Sequence, residues 1–224
     1  MKLISWNCNG AFRKKSHLLS PYNADLYIIQ ECENPNKYPF DIAFLNDYLP
    51  IWTGMSDKRG LAFFIHKQHS ATKIRLDFFP FHDYLFVCID HLHFLGVWTH
   101  KPNYIEDFYD FYAKYSEAIP RNTIISGDFN SSAIWDKSHK EKCHSHVVQI
   151  LKEKGLSSAW HFLNNIEHGK ETTPTLFFRK NIDKPFHIDY CFAPTEIIDN
   201  MSIGSYHEWI AYSDHMPLII TFNH

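Results

Sequence analysis

Residues 123–130 read TIISGDFN, a short apolar run that ends at Gly127 and Asp128 and is followed by Asn130. The run is of strand length and contains β-branched side chains, which favours a buried β-strand. A carboxylate at the end of such a strand is costly unless it is paired, hydrogen-bonded or bound to a metal. Asp128 is therefore a candidate functional residue, although it could also begin a turn, with Asn130 capping the next helix.

Four other predicted strands also have polar side chains within them or at their ends. These are Asn7 and Asn9 after the run 2–6, Glu31 after 25–30, Asp189 inside 186–193, and Asp214 and His215 before 217–222. They are hard oxygen ligands or a histidine, a set that suits Mg²⁺ or Mn²⁺ better than a structural zinc ion. Each of them alone could be a solvated strand end or loop.

Further apolar runs of strand length occur at 61–66, 72–79, 85–90 and 94–99. Helical periodicity covers 104–119, where acidic residues near the start suit the helix dipole, and 142–154, which Gly155 ends. A shorter helix is expected over 14–19. Many strands with a few helices predict an α+β fold, a four-layer α/β sandwich in which two packed β-sheets are flanked by helices.

The chain shows no linker, repeat or change of composition, so residues 1–224 are expected to form a single domain. The formal net charge of −3 lacks the basic excess of proteins that hold long duplex DNA by charge alone. A nucleic-acid substrate would then be held locally by small basic clusters at 13–15, 58–59 and 179–180. Each cluster could equally be a solvated surface.

The cysteine pattern and the N-terminus predict a reduced, cytoplasmic protein. The five cysteines are odd in number and widely spaced, which argues against a disulfide framework. The first residues turn polar too early for a secretory leader, and no apolar run reaches the roughly 18 residues of a membrane helix. No contact with a membrane is expected.

In chain order, the strings WNCNG (6–10), QE (30–31), GDFN (127–130), IDY (188–190) and SDH (213–215) resemble the signature of the endonuclease/exonuclease/phosphatase superfamily. That superfamily includes pancreatic deoxyribonuclease, exonuclease III, abasic-site endonucleases, neutral sphingomyelinases, inositol polyphosphate phosphatases and deadenylases. The resemblance spans residues 6–217. It implies a deoxyribonuclease-like sandwich and a Mg²⁺- or Mn²⁺-dependent phosphodiesterase in which water attacks phosphorus in line.

The resemblance also implies a role for each matching residue. Glu31 and Asn7 would hold the metal ion. Asp128 would orient or deprotonate the attacking water, and Asn130 would bind a phosphate oxygen. His215 would face the scissile phosphate, with either Asp214 or Asp189 fixing its ring. His100, at the end of the run 94–99, resembles a histidine that assists the leaving group in the deoxyribonuclease and sphingomyelinase branches; it could instead be bonded to backbone.

Substrate contacts are expected at Asn9 in the Asn-x-Asn-Gly entry, at Arg13 and Arg179 in the basic clusters, and at His187, where many relatives have Arg. Trp135, five residues after Asn130, could stack a base or pack in the core. The segment 143–146, Cys-His-Ser-His, has a zinc-like composition, but no second cluster has matching spacing. A structural zinc is not expected there, and surface positions or substrate contacts are favoured for its histidines.

The preferred function is a nuclease that acts on DNA or RNA, either single-stranded or at ends. The alternative is a phosphoesterase for a nucleotide, inositol phosphate or lipid. A binding protein with a decayed site is less favoured, because the full set of polar residues is present. Substrate polarity, metal number and oligomeric state do not follow from the sequence.

Overall fold

The computed structural model describes residues 1–74 and 84–223. Within them the strands are β1 Lys2–Asn7, β2 Leu26–Cys32, β3 Tyr48–Ser56, β4 Arg59–His66, β5 Ala71–Lys73, β6 Tyr84–Ile89, β7 Leu92–Trp98, β8 Ile124–Asp128, β9 Leu156–Ser158, β10 Leu176–Phe177, β11 Pro185–Phe186, β12 Asp189–Pro194, β13 Ile198–Ile203 and β14 Leu218–Phe222. The α-helices are α1 Ser16–Leu19, α2 Ile42–Asp47, α3 Ile105–Tyr115, α4 Asp136–His139, α5 His144–Glu153, α6 Ala159–Asn164 and α7 Tyr206–Trp209.

Most of these strands form two mixed sheets of six strands each. The first has the order β13-β14-β1-β2-β4-β3, and the second has the order β5-β6-β7-β8-β12-β9. β1 and β2 are parallel in the first sheet, and β7 and β8 are parallel in the second. The remaining pair, β10 and β11, forms a small hairpin. The predicted α+β sandwich of two packed sheets is confirmed.

Alternation along the strands supplies the core between the sheets. Side chains of one face of the first sheet, such as Leu3, Ile28 and Phe63, are fully buried against Phe94 and Ile124 of the second sheet. The intervening residues face outward and are also buried, because helices cover both outer faces. Strands covered on both faces carry near-continuous apolar runs, which explains why the sequence reveals them.

The outer layers are rich in aromatic contacts. On the second sheet, Phe108 of α3 packs edge-on to Phe129, with ring centroids 4.9 Å apart. Phe111 of the same helix stacks on Tyr84, with centroids 3.8 Å apart. The predicted helix over 104–119 is thus present as α3 and is held to the sheet by its apolar face. The helix predicted over 142–154 is α5, and the positive φ of 88° at Gly155 suits its end.

Some sequence predictions were incomplete. The run 72–79 coincides with β5 only at its start, and its residues from 75 onward lie outside the described residues. The run 186–193 is divided between β11 and β12. β3 and β13 were missed because they are edge strands whose exposed positions interrupt the apolar pattern. Among the described residues, the helices are too short or too polar to cross a membrane.

Candidate active site

The sheet topology brings the polar strand ends together at one end of the sandwich. Asn7 ends β1 beside Gln30 of the parallel strand β2, so Glu31 follows at the same edge. In the second sheet, Asp128 ends β8 directly opposite Asp189, the first residue of the antiparallel strand β12. His215 precedes β14, which pairs with β1. Residues more than 200 positions apart in sequence therefore meet in one site.

Local backbone geometry turns two of these side chains into the site. Glu31 has a φ of 58° and lies at a β-bulge in β2, a conformation that is uncommon for a side chain of this size. Gly127, with a φ of 153°, precedes Asp128, and a Cβ there would lie 1.9 Å from the Val97 carbonyl oxygen. Only glycine therefore fits before Asp128. Strained backbone of this kind is typical of functional sites.

Asp128 is fully buried and is held by amide donors. Asn7 Nδ2 donates to Asp128 Oδ2 at 2.9 Å. The Asn130 backbone N–H donates to Oδ1 at 2.8 Å, and its side-chain Nδ2 donates to Oδ2 at 2.9 Å. Asn130 is itself fixed because Nδ2 also donates to the Thr99 carbonyl at 2.8 Å. The Asp128 carboxylate therefore has a defined orientation towards the site.

His215 is paired with Asp189, not with Asp214. Its Nδ1 lies 3.0 and 3.1 Å from the two Asp189 oxygens, and its Nε2 lies 3.9 Å from Asp128 Oδ2. Of the two partners that the sequence left open, Asp189 is thus the one that fixes the ring. The Asp214 backbone carbonyl accepts a bond from Phe177 N at 2.8 Å. Asp214 adds only its charge to the field at His215.

Burial and the neighbouring charges change the proton affinity of Asp128 and of His215. Burial and the neighbouring Asp189 carboxylate raise the pKa of Asp128 above its ordinary value. Although burial opposes the charge on His215, Asp189 and Asp128 raise the pKa of its imidazole. At neutral pH the arrangement therefore favours an imidazolium at His215 beside a carboxyl group that is more basic than usual. Such perturbed groups are typical of catalytic sites.

Glu31 fits the expected metal ligand. Its Oε2 is buried and forms an ion pair with Arg59, whose Nη1 lies 2.8 Å away and whose side chain is exposed. A carboxylate oxygen whose partner is an exposed arginine can exchange that partner for a hard cation such as Mg²⁺. Asn7 differs from the expectation, because its Oδ1 accepts from Asn9 N at 3.0 Å and its NH₂ group faces Glu31 and Asp128. A ligand role for Asn7 stays a prediction.

The other predicted site residues differ in their exposure and in the contacts that hold them. His100 follows Thr99, and its Nδ1 lies 3.0 Å from the Lys101 carbonyl oxygen. Asn9 is exposed, with a positive φ of 52°. The Arg13 guanidinium is held by Glu33 at 2.5 Å, and Arg179 is exposed beside the Phe178 ring. Their substrate contacts stay predictions.

His187 lies in the interior. Its ring is buried, and its Nδ1 donates to the Thr173 carbonyl oxygen at 2.8 Å, so that Nε2 carries the lone pair. Burial lowers the pKa of this imidazole. A neutral, buried ring differs from the arginine that many members of the superfamily named above carry at this position. A substrate contact through His187 stays a prediction.

A cavity of about 390 Å³ adjoins the site at Asn130. Its lining includes Trp135, Tyr104, Leu176, Phe186 and Ile188. Trp135 is half-buried and lies against Phe186, with ring centroids 5.2 Å apart at an angle of 45°. One aromatic side chain therefore both packs and lines an opening beside the buried carboxylates, so the two sequence-based interpretations of Trp135 are compatible.

Three residues of the site were not identified from the sequence. Ser213 is fully buried and joins two loops: its Oγ donates to the Asn7 carbonyl at 2.7 Å and accepts from His215 N at 3.0 Å. Thr99 acts through its backbone carbonyl, which no side-chain pattern reveals. Arg59 was noticed only as part of a basic pair, and its partner Glu31 lies 28 positions earlier in the chain.

No family model matches this sequence, and comparison with curated proteins finds no match. Solved structures do match. A 3′ phosphatase from Neisseria bound to a product DNA hairpin aligns over 100% of both chains, with a TM-score of 0.74 and 16% identity. An AP endonuclease from Archaeoglobus fulgidus aligns over 100% of both chains, with a TM-score of 0.73 and 16% identity.

The endonuclease domain of TRAS1, a telomere-specific non-LTR retrotransposon, aligns over 99% of this chain and 97% of its own, with a TM-score of 0.69 and 14% identity. These identities are low, but the alignments cover the whole chain, including both sheets and the site between their ends. The chain therefore has the deoxyribonuclease-like α/β-sandwich fold that these phosphatase and endonuclease structures share.

Proposed function

We propose that the chain is a member of the endonuclease/exonuclease/phosphatase superfamily and hydrolyses phosphodiester bonds of nucleic acid with the help of Mg²⁺ or Mn²⁺. The observation that carries the proposal is the buried group of Asp128, Asp189 and His215, whose ligand atoms all lie within 4.8 Å of one another. Asn7 links this group to the Glu31 carboxylate. Burial of two carboxylates this close together is unfavourable for stability. A catalytic role supplies the reason for keeping them.

Each of these residues has a task that follows from its contacts. Asp128 is oriented by the amides of Asn7 and Asn130, and its raised pKa suits it to accept a proton from the attacking water. His215, held as a cation by Asp189, donates from Nε2 to a phosphate oxygen and stabilises the negative charge of the transition state. Asn130 donates one amide proton to Asp128 and the other to the Thr99 carbonyl. We propose that it positions Asp128 and that it gives up one of these two bonds to donate to a phosphate oxygen.

Glu31 would hold the metal ion, with Asn7 adjusting its amide to add an oxygen. The ion, when bound, neutralises phosphate charge and assists the leaving oxygen. Arg59, already 2.8 Å from Glu31, is placed to contact a phosphate once the ion occupies this carboxylate. These assignments use the oxygen-rich chemistry of the side chains that are present.

Nucleic acid is favoured over a small phosphoester by the surface around the site. The loop between β10 and β11 carries the cations Arg179, Lys180 and Lys184 together with the exposed apolar side chain of Ile182. Cations contact phosphates, whereas aromatic and apolar groups contact bases or sugars. The cavity lined by Trp135 and Phe186 adds an apolar recess next to Asn130. A structural neighbour is bound to a DNA hairpin, which supports DNA as the first substrate to test. RNA, the cytoplasmic location and action of residues 1–224 as one domain are further parts of the proposal.

The proposal predicts metal-dependent cleavage of a polymer. End-labelled single-stranded DNA, duplex DNA, a hairpin with a 3′ phosphate and RNA are each incubated with the protein and Mg²⁺ or Mn²⁺. We expect cleavage of at least one of them that excess chelator abolishes, because Glu31 requires a hard cation to act on phosphate. Product ladders on a denaturing gel distinguish removal of terminal groups from internal cleavage.

The control is His215→Gln assayed in parallel, which excludes a contaminating nuclease. If all four polymers stay intact under every metal condition, while a nucleotide or an inositol phosphate is hydrolysed, the polymer assignment is wrong and the site is that of a phosphoesterase for small molecules. If no phosphoester is hydrolysed at all, the enzymatic proposal itself fails.

A second prediction concerns Trp135. Trp135→Ala is expected to raise KM for a polymer substrate roughly tenfold with little change in kcat, because base stacking on an aromatic side chain contributes about 1–3 kcal/mol. Trp135→Phe should restore most of the affinity by keeping an aromatic face. Steady-state kinetics of both variants checks this. An unchanged KM in Trp135→Ala would instead assign the side chain to packing against Phe186 alone.

A further inference from the structure

A second group of titratable side chains lies outside the active site. One ligand atom from each of His161, His168 and Glu171 lies within 4.8 Å of the other two. His161 is on α6, and the other two residues are in the loop that follows this helix. The group packs behind β12: the His168 ring stacks parallel to Phe192 and contacts Tyr190. The proposed reaction uses none of these side chains.

His161 has a partner for the nitrogen that would face away from a bound ion. His161 Nδ1 lies 2.7 Å from Ser158 Oγ, while its Nε2 lies 2.9 Å from Glu171 Oε1. His168 Nδ1 lies 3.1 Å from Nε2 of His144, which leaves Nε2 of His168 for a ligand. Histidine ligands of metals nearly always have such an outer partner, which sets the tautomer and the orientation of the ring.

An access route and a fourth donor lie nearby. Glu171 lines a cavity of about 370 Å³, and His187 lines the same cavity. Nε2 of His187 is buried without a hydrogen-bond partner among residues 1–74 and 84–223, and it is the unprotonated nitrogen because Nδ1 donates to Thr173. A buried lone pair without a donor is costly unless a ligand or water satisfies it.

We propose that His161, His168 and Glu171 bind one Zn²⁺ ion, with His187 or water as the fourth ligand. Two nitrogens and a carboxylate oxygen are a common zinc ligand set, and this nitrogen content disfavours Mg²⁺. The His161 and His168 rings now stack at 3.6 Å with an angle of 6° between them. Since a metal ion lies in the plane of each imidazole that binds it, zinc binding requires the His168 ring to turn out of this stack and to give up its bond to His144.

With His187 as the fourth ligand, the ion would connect the loop after α6 to the residues just before β12, the strand that carries Asp189. This site is independent of the proposed phosphodiesterase activity and shares no ligand with it. The sequence does not reveal it because its ligands come from a segment with no cysteine and with spacings unlike those of zinc fingers. The zinc-like string at 143–146 contributes only His144, which is buried and acts as a partner of His168.

Calorimetric titration with ZnCl₂ tests the proposal on untagged protein that has been stripped of metal by a chelator. The double variant Asp128→Asn, Glu31→Gln serves as the background, since it removes one carboxylate from each of the other places at which the described residues could hold a cation. We expect one zinc ion per chain in this background, and an affinity at least about 100-fold lower when Glu171→Gln or His168→Gln is added, because even loss of an outer partner costs roughly 10–100-fold. His207→Gln, an exposed histidine elsewhere, is the matched control.

A second readout replaces zinc by Co²⁺, because the visible absorption of Co²⁺ reports four-coordinate ligation by nitrogen and oxygen. Circular dichroism of the metal-free variants shows whether they fold. If Glu171→Gln does not fold, His168→Gln still tests the proposal, because it changes only a half-buried loop residue. The proposal is overturned if the background protein binds no zinc, or if Glu171→Gln and His168→Gln bind it as tightly as the His207→Gln control does. Either result would make the group a hydrogen-bonded polar network.

Discussion

His215→Gln is expected to lower kcat by roughly 10²–10⁴-fold, the range that a positioned acid–base group contributes. The structure holds the imidazole as a cation beside the buried carboxylates, with Nδ1 bound to Asp189 and Nε2 near Asp128. Glutamine keeps a donor of similar length but carries no charge. Single-turnover cleavage of the best polymer substrate measures the effect without interference from product release.

The control for this prediction is Asp189→Asn, which leaves His215 in place and removes the charge that orients it. We expect an intermediate loss, accompanied by a lower pKa of His215 in a histidine NMR titration. Activity of His215→Gln within a factor of a few of the wild-type value would contradict the mechanism. The pKa readout matters because a change that merely loosened the fold would not move His215 alone in this direction.

Glu31→Gln is expected to raise the Mg²⁺ concentration for half-maximal activity by more than about 100-fold, because loss of even a second-sphere partner weakens metal binding about 10–100-fold. The amide keeps the size of the side chain and its bond to Asn7 but removes the anionic charge that would hold the cation. Mn²⁺ binding followed by electron paramagnetic resonance provides a measurement that does not depend on catalysis.

Arg59→Gln is the matched variant, and it is expected to change the Mn²⁺ affinity in the opposite direction. Its guanidinium lies 2.8 Å from Glu31 and competes with a cation for that carboxylate. Removal of the arginine should therefore tighten Mn²⁺ binding, even if it weakens binding of the phosphate. Equal Mn²⁺ affinity in Glu31→Gln and in the wild-type protein would remove Glu31 from the metal site.

Stability should respond differently from activity at Asp128. This carboxylate is buried directly opposite Asp189, and both burial and that neighbour raise its pKa. The buried Asp128 carboxylate therefore lowers the free energy of unfolding, and an asparagine of the same size at this position would avoid part of that loss. Natural proteins accept such costs at functional sites, and this explains why an acidic pair persists between two otherwise apolar strands.

The chemical composition of the candidate active site could be predicted from the sequence, but its internal pairing could not. Glu31, Asp128, Asn130, Asp189 and His215 were selected as candidates because each interrupts or flanks an apolar run. Their order along the chain then added the family resemblance. Whether Asp189 or Asp214 pairs with His215 remained open, because that choice depends on how the segment before β14 packs against the start of β12 in the other sheet.

The histidine group behind β12 shows the same limit more clearly. His144, His161, His168 and Glu171 have no periodicity or motif that predicts their contact, and His144 was expected at the surface rather than in the interior. Their proximity results from the packing of α5, α6 and one loop on the outer face of the second sheet. Likewise, the cavity beside Asn130 combines Trp135 with residues of the β10–β11 hairpin, 40 or more positions later in the chain.

The sequence by itself determined most of the central strands, the two-sheet architecture and the residue types at the strand ends, because strands buried on both faces have long apolar runs. Only the tertiary structure decided that Asp189 orients His215, that Asn7 presents its amide nitrogen to Asp128, and that Arg59 pairs with Glu31. The physical reason is that these contacts join distant segments through strand register and through the packing of one sheet on the other, and a shift of one residue in register would turn each side chain to the opposite face of its sheet.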